Sequence, residues 1–379
     1  MGSTGSIGTT SLNIIKKKKN LFSFELLSAN KNYKSICYQI IRFKPKYFVV
    51  TNNHIFLKIK KRFKNKRTKI LNSYDNLPLT KKIDITIASI PGIAGLKPTI
   101  VLIKKSKKIL LANKESVICG WQIINNLAKK YKTKIVPIDS EHFSIMKLLE
   151  NHKKSEIEKI YITASGGPFL NLPKNKFKNI RPQDAIKHPK WSMGKKISVD
   201  SSTLMNKILE FIEAQKLFNI DHKKLDIIIH PESLVHAIIK FKNGMTKFIY
   251  HETSMIVPLT NAIFGDNFNI KIFLNKKKQN EKLENLTFVK PNSKTFPVLK
   301  LKDMCNKFPS SSIIINACNE ILVDQFLKKK IPFLSISKII MTILKDSNYK
   351  KYAIKEPKNL NQIYKIDMWA RKKTLEKIK

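Results

Sequence analysis

The sequence predicts an α/β protein, and three features of its pattern lead to this class. In the N-terminal third, short apolar runs alternate with amphipathic stretches of helical length, which is typical of a parallel sheet covered by helices. In the middle of the chain the apolar runs follow one another more closely, which favours an α+β domain. From about Asp303 onward, apolar residues recur at three-to-four spacing, as they do in a helical bundle.

Taken in chain order, the apolar runs predict strands first and helices last. N-terminal strands are predicted at 22–28, 47–50, 83–89, 108–111 and 134–138. Further strands are predicted over 156–164 and within 225–248, and helices over 313–327 and 333–344. A Lys- and Asn-rich stretch from Asn275 to Lys290 predicts a linker. We therefore divide the chain into 1–138, 139–274, a linker at 275–300, and 301–379.

The charge of the chain first suggests a nucleic-acid-binding protein. Its 379 residues include 73 Lys and Arg against 27 Asp and Glu, a net charge of +46. Arginine, however, occurs only at Arg42, Arg62, Arg67, Arg181 and Arg371. A protein that reads phosphates or bases is expected to keep more arginine, whereas Lys, Asn and Ile all have A/T-rich codons. We favour a biased genome, and an ordinary lysine content in the other proteins of that genome would reopen the nucleic-acid hypothesis.

The cysteines and the apolar runs exclude several other classes. Four cysteines, at 37, 119, 305 and 318, form no C-x-x-C pair and have no histidine at zinc-finger spacing, so we expect buried, reduced thiols. No run of about 18 apolar residues occurs, so no membrane helix is expected. The first residues lack the pattern of a signal or transit peptide. A cytoplasmic protein fits best.

The chain begins with a glycine-rich motif. Gly2-Ser3-Thr4-Gly5-Ser6-Ile7-Gly8 is a G-x-x-G-x-x-G variant of the dinucleotide fingerprint, although a flexible tail remains an alternative. The next predicted strand is followed by Asn30-Lys31-Asn32 and by no acidic residue. Because an acidic residue there would hold a ribose 2′-hydroxyl, Lys and Asn favour the 2′-phosphate of NADP.

One part of the fingerprint is absent. The glycines should follow a strand that is normally central in the sheet, yet Met1 directly precedes Gly2. Loss of a central strand would leave unpaired backbone groups on its two neighbours. We therefore expect an upstream start rather than a lost strand.

Two acidic residues follow the last N-terminal strand. Asp139-Ser140-Glu141 comes directly after Ile138, at the end of a strand where α/β sheets bind ligands. In extended geometry Asp139 and Glu141 would point to the same side and repel unless a cation lay between them. A solvated turn or a helix N-cap is the alternative.

A second cluster predicts a phosphate site. Ser201 or Ser202 would cap a helix that carries Asn206, Lys207 and Glu210 on one face. Hydroxyl, amide and ammonium groups at a helix N-terminus suit a phosphate, and Glu210 could instead reach a metal. An ordinary Lys–Glu pair on a surface helix is the alternative.

Two loops lie between these clusters. Residues 164–169 (ASGGPF) offer a hydroxyl and open backbone amides to an anion, and residues 188–194 (HPKWSMG) have the composition of a lid that excludes water. Either loop could also be an ordinary turn that packs on a core.

Seven segments, in order along nearly the whole chain, carry the pattern of one family. They are GSTGSIG at 2–8, LLANKES at 110–116, PIDSEH at 137–142, ASGGPF at 164–169, HPKWSMGKKISVDSSTLMNKILEFIEA at 188–214, IIHPESLVH at 228–236 and NACNE at 316–320. Together they resemble the 1-deoxy-D-xylulose 5-phosphate reductoisomerase family, and the long segment from His188 is the most specific.

The resemblance implies an NADPH- and divalent-metal-dependent enzyme of the non-mevalonate isoprenoid pathway. Such an enzyme converts 1-deoxy-D-xylulose 5-phosphate to 2-C-methyl-D-erythritol 4-phosphate by a carbon-skeleton rearrangement followed by hydride transfer, with Mn²⁺ or Mg²⁺. Its implied architecture is a Rossmann-like NADPH-binding domain at 1–138, an α+β catalytic and dimerisation domain at 139–274 with a lid at 187–195, and a C-terminal helical bundle at 301–379. A homodimer is also implied.

The resemblance also implies roles for single residues. The metal ligands are Asp139, Glu141 and Glu210, which with Lys114 and His188 form the catalytic set. Substrate contacts are Lys114, Ser140, Glu141, Ser165, His188, Trp191, Met193, Ser201, Asn206, Lys207 and Glu210. NADPH contacts are Thr4, Gly5, Ser6, Ile7, Asn30, Lys31, Asn32, Asn113, Glu115 and Gly194. Asn30, where the family usually has glycine, and the absent strand put the cofactor affinity in doubt.

Two other functions are alternatives to this one. Another NADP-dependent dehydrogenase would share the glycine-rich start but gives no reason for the acidic residues at 139–141 or the segment from 188 to 210. An inactive relative would be consistent with the absent strand.

Overall fold

The computed structural model describes residues 1–75, 77–191, 193–266, 268–274 and 285–378. The chain forms two compact units, each built from three segments. The first unit contains Met1–Asn113, Ile124–Asp139 and Met255–Asn280, and the second contains Lys114–Ile123, Ser140–Ser254 and Glu281–Lys379. The division proposed from the sequence does not interleave segments in this way, and it stays a prediction.

The predicted α/β class is confirmed. The strands are β1 (Leu26–Ala29), β2 (Tyr47–Val50), β3 (Lys69–Leu71), β4 (Ile83–Ala88), β5 (Ser106–Leu111), β6 (Lys134–Pro137), β7 (Ile157–Ala164), β8 (Leu225–Ile229), β9 (Val235–Phe241) and β10 (Thr246–Tyr250). Sequence analysis missed β3, because three residues that follow a run of lysines and arginines show no alternation of apolar and polar side chains.

Helices connect and cover these strands. They are α1 (Ser6–Lys17), α2 (Tyr33–Phe43), α3 (Asn53–Arg62), α4 (Leu96–Ile103), α5 (Lys114–Lys130), α6 (Ser140–Leu148), α7 (Pro182–Ala185), α8 (Lys195–Ser202), α9 (Met205–Phe218), α10 (Ile256–Phe264), α11 (Leu301–Met304), α12 (Ser311–Leu327), α13 (Ser335–Ile343), α14 (Tyr349–Ala353) and α15 (Leu360–Ile378). None of the described helices has both the length and the apolar character needed to cross a membrane.

The first unit contains two three-stranded parallel sheets, in the orders β1-β2-β3 and β4-β5-β6. Side chains of β2 alternate between two cores, as expected for a parallel strand with both faces covered. Phe48 and Val50 pack with residues of α2 and α3, whereas Tyr47 and Val49 pack with Leu102 of α4. Strands β1 and β4 each lie at the edge of their sheet.

The first three residues of the chain contact both edge strands. The Met1 amino group donates to Ile87 C=O at 2.6 Å, and Ser3 N–H donates to Ser28 C=O at 2.8 Å. Gly2 has a φ of +71°, and a Cβ there would lie 2.6 Å from Ser89 C=O, so only glycine fits this close passage. This turn ends at Gly5, which is the N-cap residue of α1.

The second unit is built on a mixed sheet in the order β10-β9-β7-β8. The predicted helical character of the C-terminal part is confirmed by α12, α13 and α15, which pack against one another around buried residues such as Ile314 and Ile340. Part of the predicted linker, 275–284, lies outside the described residues. In its described remainder, Val289 forms an isolated β-bridge with Ile229.

All four cysteines are buried and free, as expected from their spacing. Burial raises the pKa of the Cys305 and Cys318 thiols to about 12. These thiols are therefore protonated and unreactive at neutral pH.

In a chain that begins at Met1, the buried amino group of this residue generates a prediction about pH. Burial lowers the pKa of the Met1 amino group from its ordinary value of 8.0 to about 5. Between these pH values the unfolded state binds the extra proton, so this group makes the free energy of unfolding rise with pH. We predict a shallower rise in protein whose Met1 amino group has been acetylated, measured by urea unfolding at several pH values after mass spectrometry verifies that Met1 is retained. Equal slopes for the two forms would contradict the buried position of the amine.

Candidate active site

Three carboxylates converge where β6 ends. Asp139 follows β6, Glu141 lies in the first turn of α6, and Glu210 lies in the second turn of α9. One oxygen atom of each carboxylate lies within 4.8 Å of the others. Asp139 is the last residue of the first unit, and the same short turn that contains it begins α6.

The predicted extended geometry of Asp139-Ser140-Glu141 is wrong. The last ladder hydrogen bond after β6 runs from Ile138 N–H to Leu111 C=O at 3.1 Å, and α6 begins two residues later at Ser140. Glu141 is therefore helical, and Ser140 Oγ donates to Glu141 Oε2 at 2.5 Å. A turn, and not the alternation of a strand, brings the two carboxylates together.

Two lysine ammonium groups contact the carboxylates. Lys114 Nζ donates to Glu210 Oε1 at 2.9 Å, and Lys207 Nζ donates to Glu210 Oε2 at 2.7 Å. Lys207 also donates to Glu141, and Asn206 Nδ2 donates to Glu210. Glu210 is only 1% exposed, so its charge depends on these partners.

This carboxylate cluster fits a divalent cation. Carboxylate oxygens without sulfur are the donors that Mg²⁺ and Mn²⁺ prefer. Lys114 contacts Glu210 and Lys207 contacts both Glu141 and Glu210, so these carboxylates already attract positively charged groups in this structure. Asp139, Glu141 and Glu210 are thus the residues that could hold the metal.

Sequence analysis assigned no role to His142 and Glu213, which lie beside the carboxylates. Nε2 of His142 is 2.9 Å from the Glu210 backbone C=O, and its Nδ1 is 3.5 Å from Glu213 Oε2. Both side chains are almost fully buried. They connect α6 to the turn of α9 that carries Glu210. The sequence signal for Glu213 was its position three residues after Glu210, because residues three apart lie on the same face of a helix.

The start of α9 differs from its prediction. Ser201 and Ser202 end α8 and do not cap α9, because Leu204 turns the chain with a φ of +65° and α9 begins at Met205. Ser202 Oγ donates to Val199 C=O within α8 at 2.7 Å. The predicted common face of Asn206, Lys207 and Glu210 is nevertheless present, as their hydrogen bonds show.

The loop at 164–169 is held next to the end of α8. Gly167 has a φ of +67°, and a Cβ there would lie 2.9 Å from Ser201 C=O, so the loop needs glycine. Gly167 N–H donates to Ser165 Oγ at 3.1 Å, and the His188 ring lies 2.9 Å from the same oxygen.

The hydrogen bonds of His188 define its tautomer. Backbone N–H groups of Lys190 and Trp191 donate to Nδ1 at 3.1 and 2.9 Å, so Nδ1 is the acceptor nitrogen. Nε2 then carries the hydrogen and donates to Ser165 Oγ. Burial, and repulsion by the Lys207 ammonium, lower the pKa of His188 to about 4, so the ring is neutral at pH 7. Because Ser165 Oγ accepts from two groups, its own O–H can donate to an anion.

The predicted lid at 187–195 contacts β9 in this structure. The Trp191 indole lies edge-on to the His236 ring at 6.0 Å between centroids. Met193 is half-buried, Gly194 precedes α8, and Ser192 is outside the described residues.

A buried network of ion pairs and hydrogen bonds begins just after the predicted lid in the chain. Sequence analysis missed this network. Lys196 Nζ lies 3.1 Å from Glu115 Oε1 and 2.9 Å from Asp200 Oδ2, and Asn319 Nδ2 donates to Asp200 Oδ1 at 2.8 Å. Burial alone would raise the pKa of Glu115, but the Lys196 ammonium and a backbone hydrogen bond hold it below its ordinary value. The i,i+4 spacing of Lys196 and Asp200 was a sequence signal, whereas the contacts to Glu115 and Asn319 had none.

The residues expected to contact NADPH are divided between the two units. In the first unit, Thr4 to Ile7 lie at the N-terminus of α1, Asn30 and Lys31 are exposed, and Asn32 caps α2 by accepting from Ser35 N–H at 3.1 Å. Asn113 donates to Ile90 and Gly92 carbonyls at 2.6 and 3.1 Å and so fixes the loop after β4. Glu115 and Gly194 belong to the second unit.

Three family profiles match the chain. "1-deoxy-D-xylulose 5-phosphate reductoisomerase" matches residues 1–120, "1-deoxy-D-xylulose 5-phosphate reductoisomerase C-terminal domain" matches 135–218, and "DXP reductoisomerase C-terminal domain" matches 252–373.

Curated relatives with the same name align over almost the whole chain. The protein of Pelagibacter ubique is 46% identical over 372 residues, which is 97% of this chain and 95% of that protein. The Wolbachia pipientis wMel protein is 38% identical, with 98% of this chain and 95% of that protein covered. Each of the two is named 1-deoxy-D-xylulose 5-phosphate reductoisomerase.

Solved structures agree with the sequence comparisons. A crystal structure of DOX-P reductoisomerase in complex with NADPH, fosmidomycin and magnesium has a TM-score of 0.91 at 29% identity and covers 100% of this chain and 97% of that one. The Zymomonas mobilis enzyme in complex with NADPH has a TM-score of 0.87 at 30% identity, with the same coverage. The chain therefore belongs to the 1-deoxy-D-xylulose 5-phosphate reductoisomerase family.

Proposed function

We propose that the chain catalyses the NADPH- and divalent-metal-dependent conversion of 1-deoxy-D-xylulose 5-phosphate to 2-C-methyl-D-erythritol 4-phosphate in the non-mevalonate isoprenoid pathway. The observation that carries this function is the buried cluster in which Lys114, Asn206 and Lys207 surround the carboxylates of Glu141 and Glu210. A dehydrogenase with an unrelated substrate gives no reason for this cluster.

Asp139, Glu141 and Glu210 would hold the divalent cation. A cation at this place supplies Lewis-acid stabilisation of the negative charge that develops on substrate oxygens while a carbon–carbon bond breaks. Lys114, whose ammonium lies 2.9 Å from both Glu210 and Asn206, keeps a positive charge beside those oxygens. Ser140, hydrogen-bonded to Glu141, adds a hydroxyl to the same surface.

A second group of residues would bind the substrate phosphate. Ser165 has an O–H free to donate, because its oxygen already accepts from Gly167 and His188. Asn206 and Lys207 add an amide and an ammonium from the first turn of α9, where the helix dipole favours an anion. Ser201 lies at the end of α8, against the same loop. Phosphate bound by these groups orients the reacting carbons.

The remaining predicted residues would bind the cofactor and close the site. Thr4 and Gly5 lie in the turn that precedes α1, and the backbone N–H groups of Ser6 and Ile7 in its first turn suit the pyrophosphate of NADPH. The exposed Lys31, with Asn30 and Asn32, suits its 2′-phosphate. Trp191 and Met193 would cover the bound substrate and exclude water.

We also propose a cytoplasmic homodimer that uses Mg²⁺ or Mn²⁺. Support for the dimer comes from β10, which lies at one edge of its sheet among the described strands and whose Phe248 is 47% exposed. Support for a reducing compartment comes from the four free, buried cysteines. Sedimentation equilibrium tests the dimer, and activity in titrations with each metal tests the metal preference.

The metal assignment predicts the effect of Glu210→Gln. This change keeps the size of the side chain but removes the charge of a buried ligand, so we expect kcat to fall about 100-fold or more. NADPH-oxidation assays with 1-deoxy-D-xylulose 5-phosphate measure this loss, and circular dichroism monitors the fold. The matched control is Glu150→Gln, at a half-exposed pair with Lys147, which should leave kcat unchanged. Near-normal turnover of Glu210→Gln with Mn²⁺ would refute the assignment.

The position of Lys207 predicts two opposite effects of Lys207→Ala. Loss of a charged donor should raise the KM for substrate roughly 10- to 100-fold. Loss of positive charge beside Glu141 and Glu210 should at the same time lower the metal concentration needed for half-maximal activity. Lys240→Ala, at an exposed pair with Glu158, is the control and should change neither value. An unchanged KM would exclude Lys207 from the phosphate site.

A further inference from the structure

One segment of the family pattern, NACNE at 316–320, has no part in the proposed metal, phosphate and cofactor sites. This segment lies on α12, within the C-terminal helices. Its Asn319 donates from Nδ2 to Asp200 Oδ1 on α8 at 2.8 Å, and both residues are buried. Asn319 therefore connects α8 to the C-terminal helices through a hydrogen bond that water does not reach.

Lys196 connects this pair to a third helix. Its Nζ lies 2.9 Å from Asp200 Oδ2, one turn further along α8, and 3.1 Å from Glu115 Oε1 in the first turn of α5. Both carboxylates are buried, so water screens these ion pairs only weakly. Burial alone would lower the pKa of Lys196, but Asp200 and Glu115 raise it above its ordinary value. The lysine is therefore charged at neutral pH and links α8 to α5.

The place of Lys196 on α8 is unfavourable for the helix itself. Lys196 is the second residue of α8, and a positive charge in the first turn opposes the helix dipole. Its pair with Asp200, four residues later, has the lysine first, which is the weaker order for such a pair. The helix alone gives no reason for a lysine here, whereas the contact with Glu115 on another helix does.

Helix α8 is a fixed support for this lysine. Its last turn packs against the loop at 164–169, where a Cβ on Gly167 would lie 2.9 Å from Ser201 C=O. Asn319 holds Asp200 in the same half of the helix. Because α8 has eight residues and is only about 12 Å long, these contacts also fix its first turn.

The first turn of α5 carries both Glu115 and a lysine of the carboxylate cluster. Lys114 directly precedes Glu115, and its Nζ lies 2.9 Å from Glu210 Oε1 and 2.9 Å from Asn206 Oδ1. These residues and Lys196 all belong to the second unit. Since Lys196 holds Glu115, it also restrains the turn from which Lys114 reaches Glu210.

We propose that Lys196 is a positioning residue of the active site, which through its ion pair with Glu115 holds Lys114 against Glu210. Its ammonium group forms ion pairs with Glu115 and Asp200, so it acts through Lys114 and not on the substrate. The proposal rests on the proposed function, because Lys114 belongs to the proposed catalytic set.

A double-mutant cycle between Lys196 and Lys114 in the full chain tests this role. Lys196→Met keeps the length of the side chain but removes its charge, so we expect kcat to fall about tenfold as Lys114 loses its fixed position. In a chain that already carries Lys114→Met, the same change should lower kcat less than about twofold, because residues that act as a unit are not additive. NADPH oxidation with 1-deoxy-D-xylulose 5-phosphate and Mn²⁺ measures each value.

A lysine that only stabilises the fold would give a different result. Loosening of α8 alone would lower kcat by the same factor in both backgrounds, and that outcome would overturn the proposal, as would an unchanged kcat. The matched control is Lys328→Met, since Lys328 also forms an i,i+4 pair, with Asp324, but on the exposed surface. This control should leave kcat unchanged in both backgrounds.

Two additions keep the proposal testable. If Lys196→Met does not fold, Lys196→Gln replaces it in the same cycle, because its amide can still donate to one of the two carboxylates. If the unsubstituted chain shows no turnover, the proposed function fails, and the cycle is measured instead by Mn²⁺ binding without substrate or NADPH, followed by electron paramagnetic resonance.

Mn²⁺ binding has its own expected outcome. A Lys114 ammonium that leaves Glu210 no longer competes with the cation, so Lys196→Met should tighten Mn²⁺ binding roughly threefold. In the Lys114→Met background it should have no effect. Equal tightening in both backgrounds, or no tightening in either, would overturn the positioning role.

Discussion

The buried carboxylate of Glu210 is the constraint on which the rest of the site depends. A carboxylate that is 1% exposed is stable only with partners of opposite charge or with a metal, so the fold must bring cations to it. Lys114 and Lys207 do so from the first turns of α5 and α9, while Glu141 approaches in the first turn of α6. Three helices therefore begin around one cluster of charges, and their N-terminal dipoles favour the negative groups there.

Helix α9 carries residues of both proposed sites, the one for the substrate phosphate and the one for the metal. Asn206 and Lys207 lie in its first turn and Glu210 lies one turn later, an axial separation of about 5 Å. Because one rigid element carries both groups, a substrate held by its phosphate at this proposed site would have its reacting oxygens placed relative to the carboxylates. His142 and Glu213 stabilise this arrangement through contacts between α6 and α9. His188, which is neutral at pH 7 and donates to Ser165 Oγ, would complete the proposed phosphate site without adding a charge.

Sequence reasoning succeeded where the regular pattern of a single helix or strand determines where the side chains lie. The common face of Asn206, Lys207 and Glu210 follows from the helical repeat, and the position of Asp139 follows from the end of an apolar strand. It failed where one residue changes the path of the backbone. Leu204, with its positive φ, separates two helices that the pattern had joined through a serine cap. The Lys196–Glu115 contact spans 81 residues of sequence, so no local pattern could indicate it.

The burial of individual lysines changes the interpretation of the net charge of +46. A genomic bias towards lysine can add lysines freely at exposed positions, because an added ammonium group remains hydrated there. In the interior it cannot, because each buried ammonium group needs a partner. Among the described residues, the lysines classed as buried are Lys114 and Lys207, and both contact Glu210. Burial thus separates these two lysines, which are proposed to contact the substrate, from the many exposed lysines that composition alone cannot tell apart.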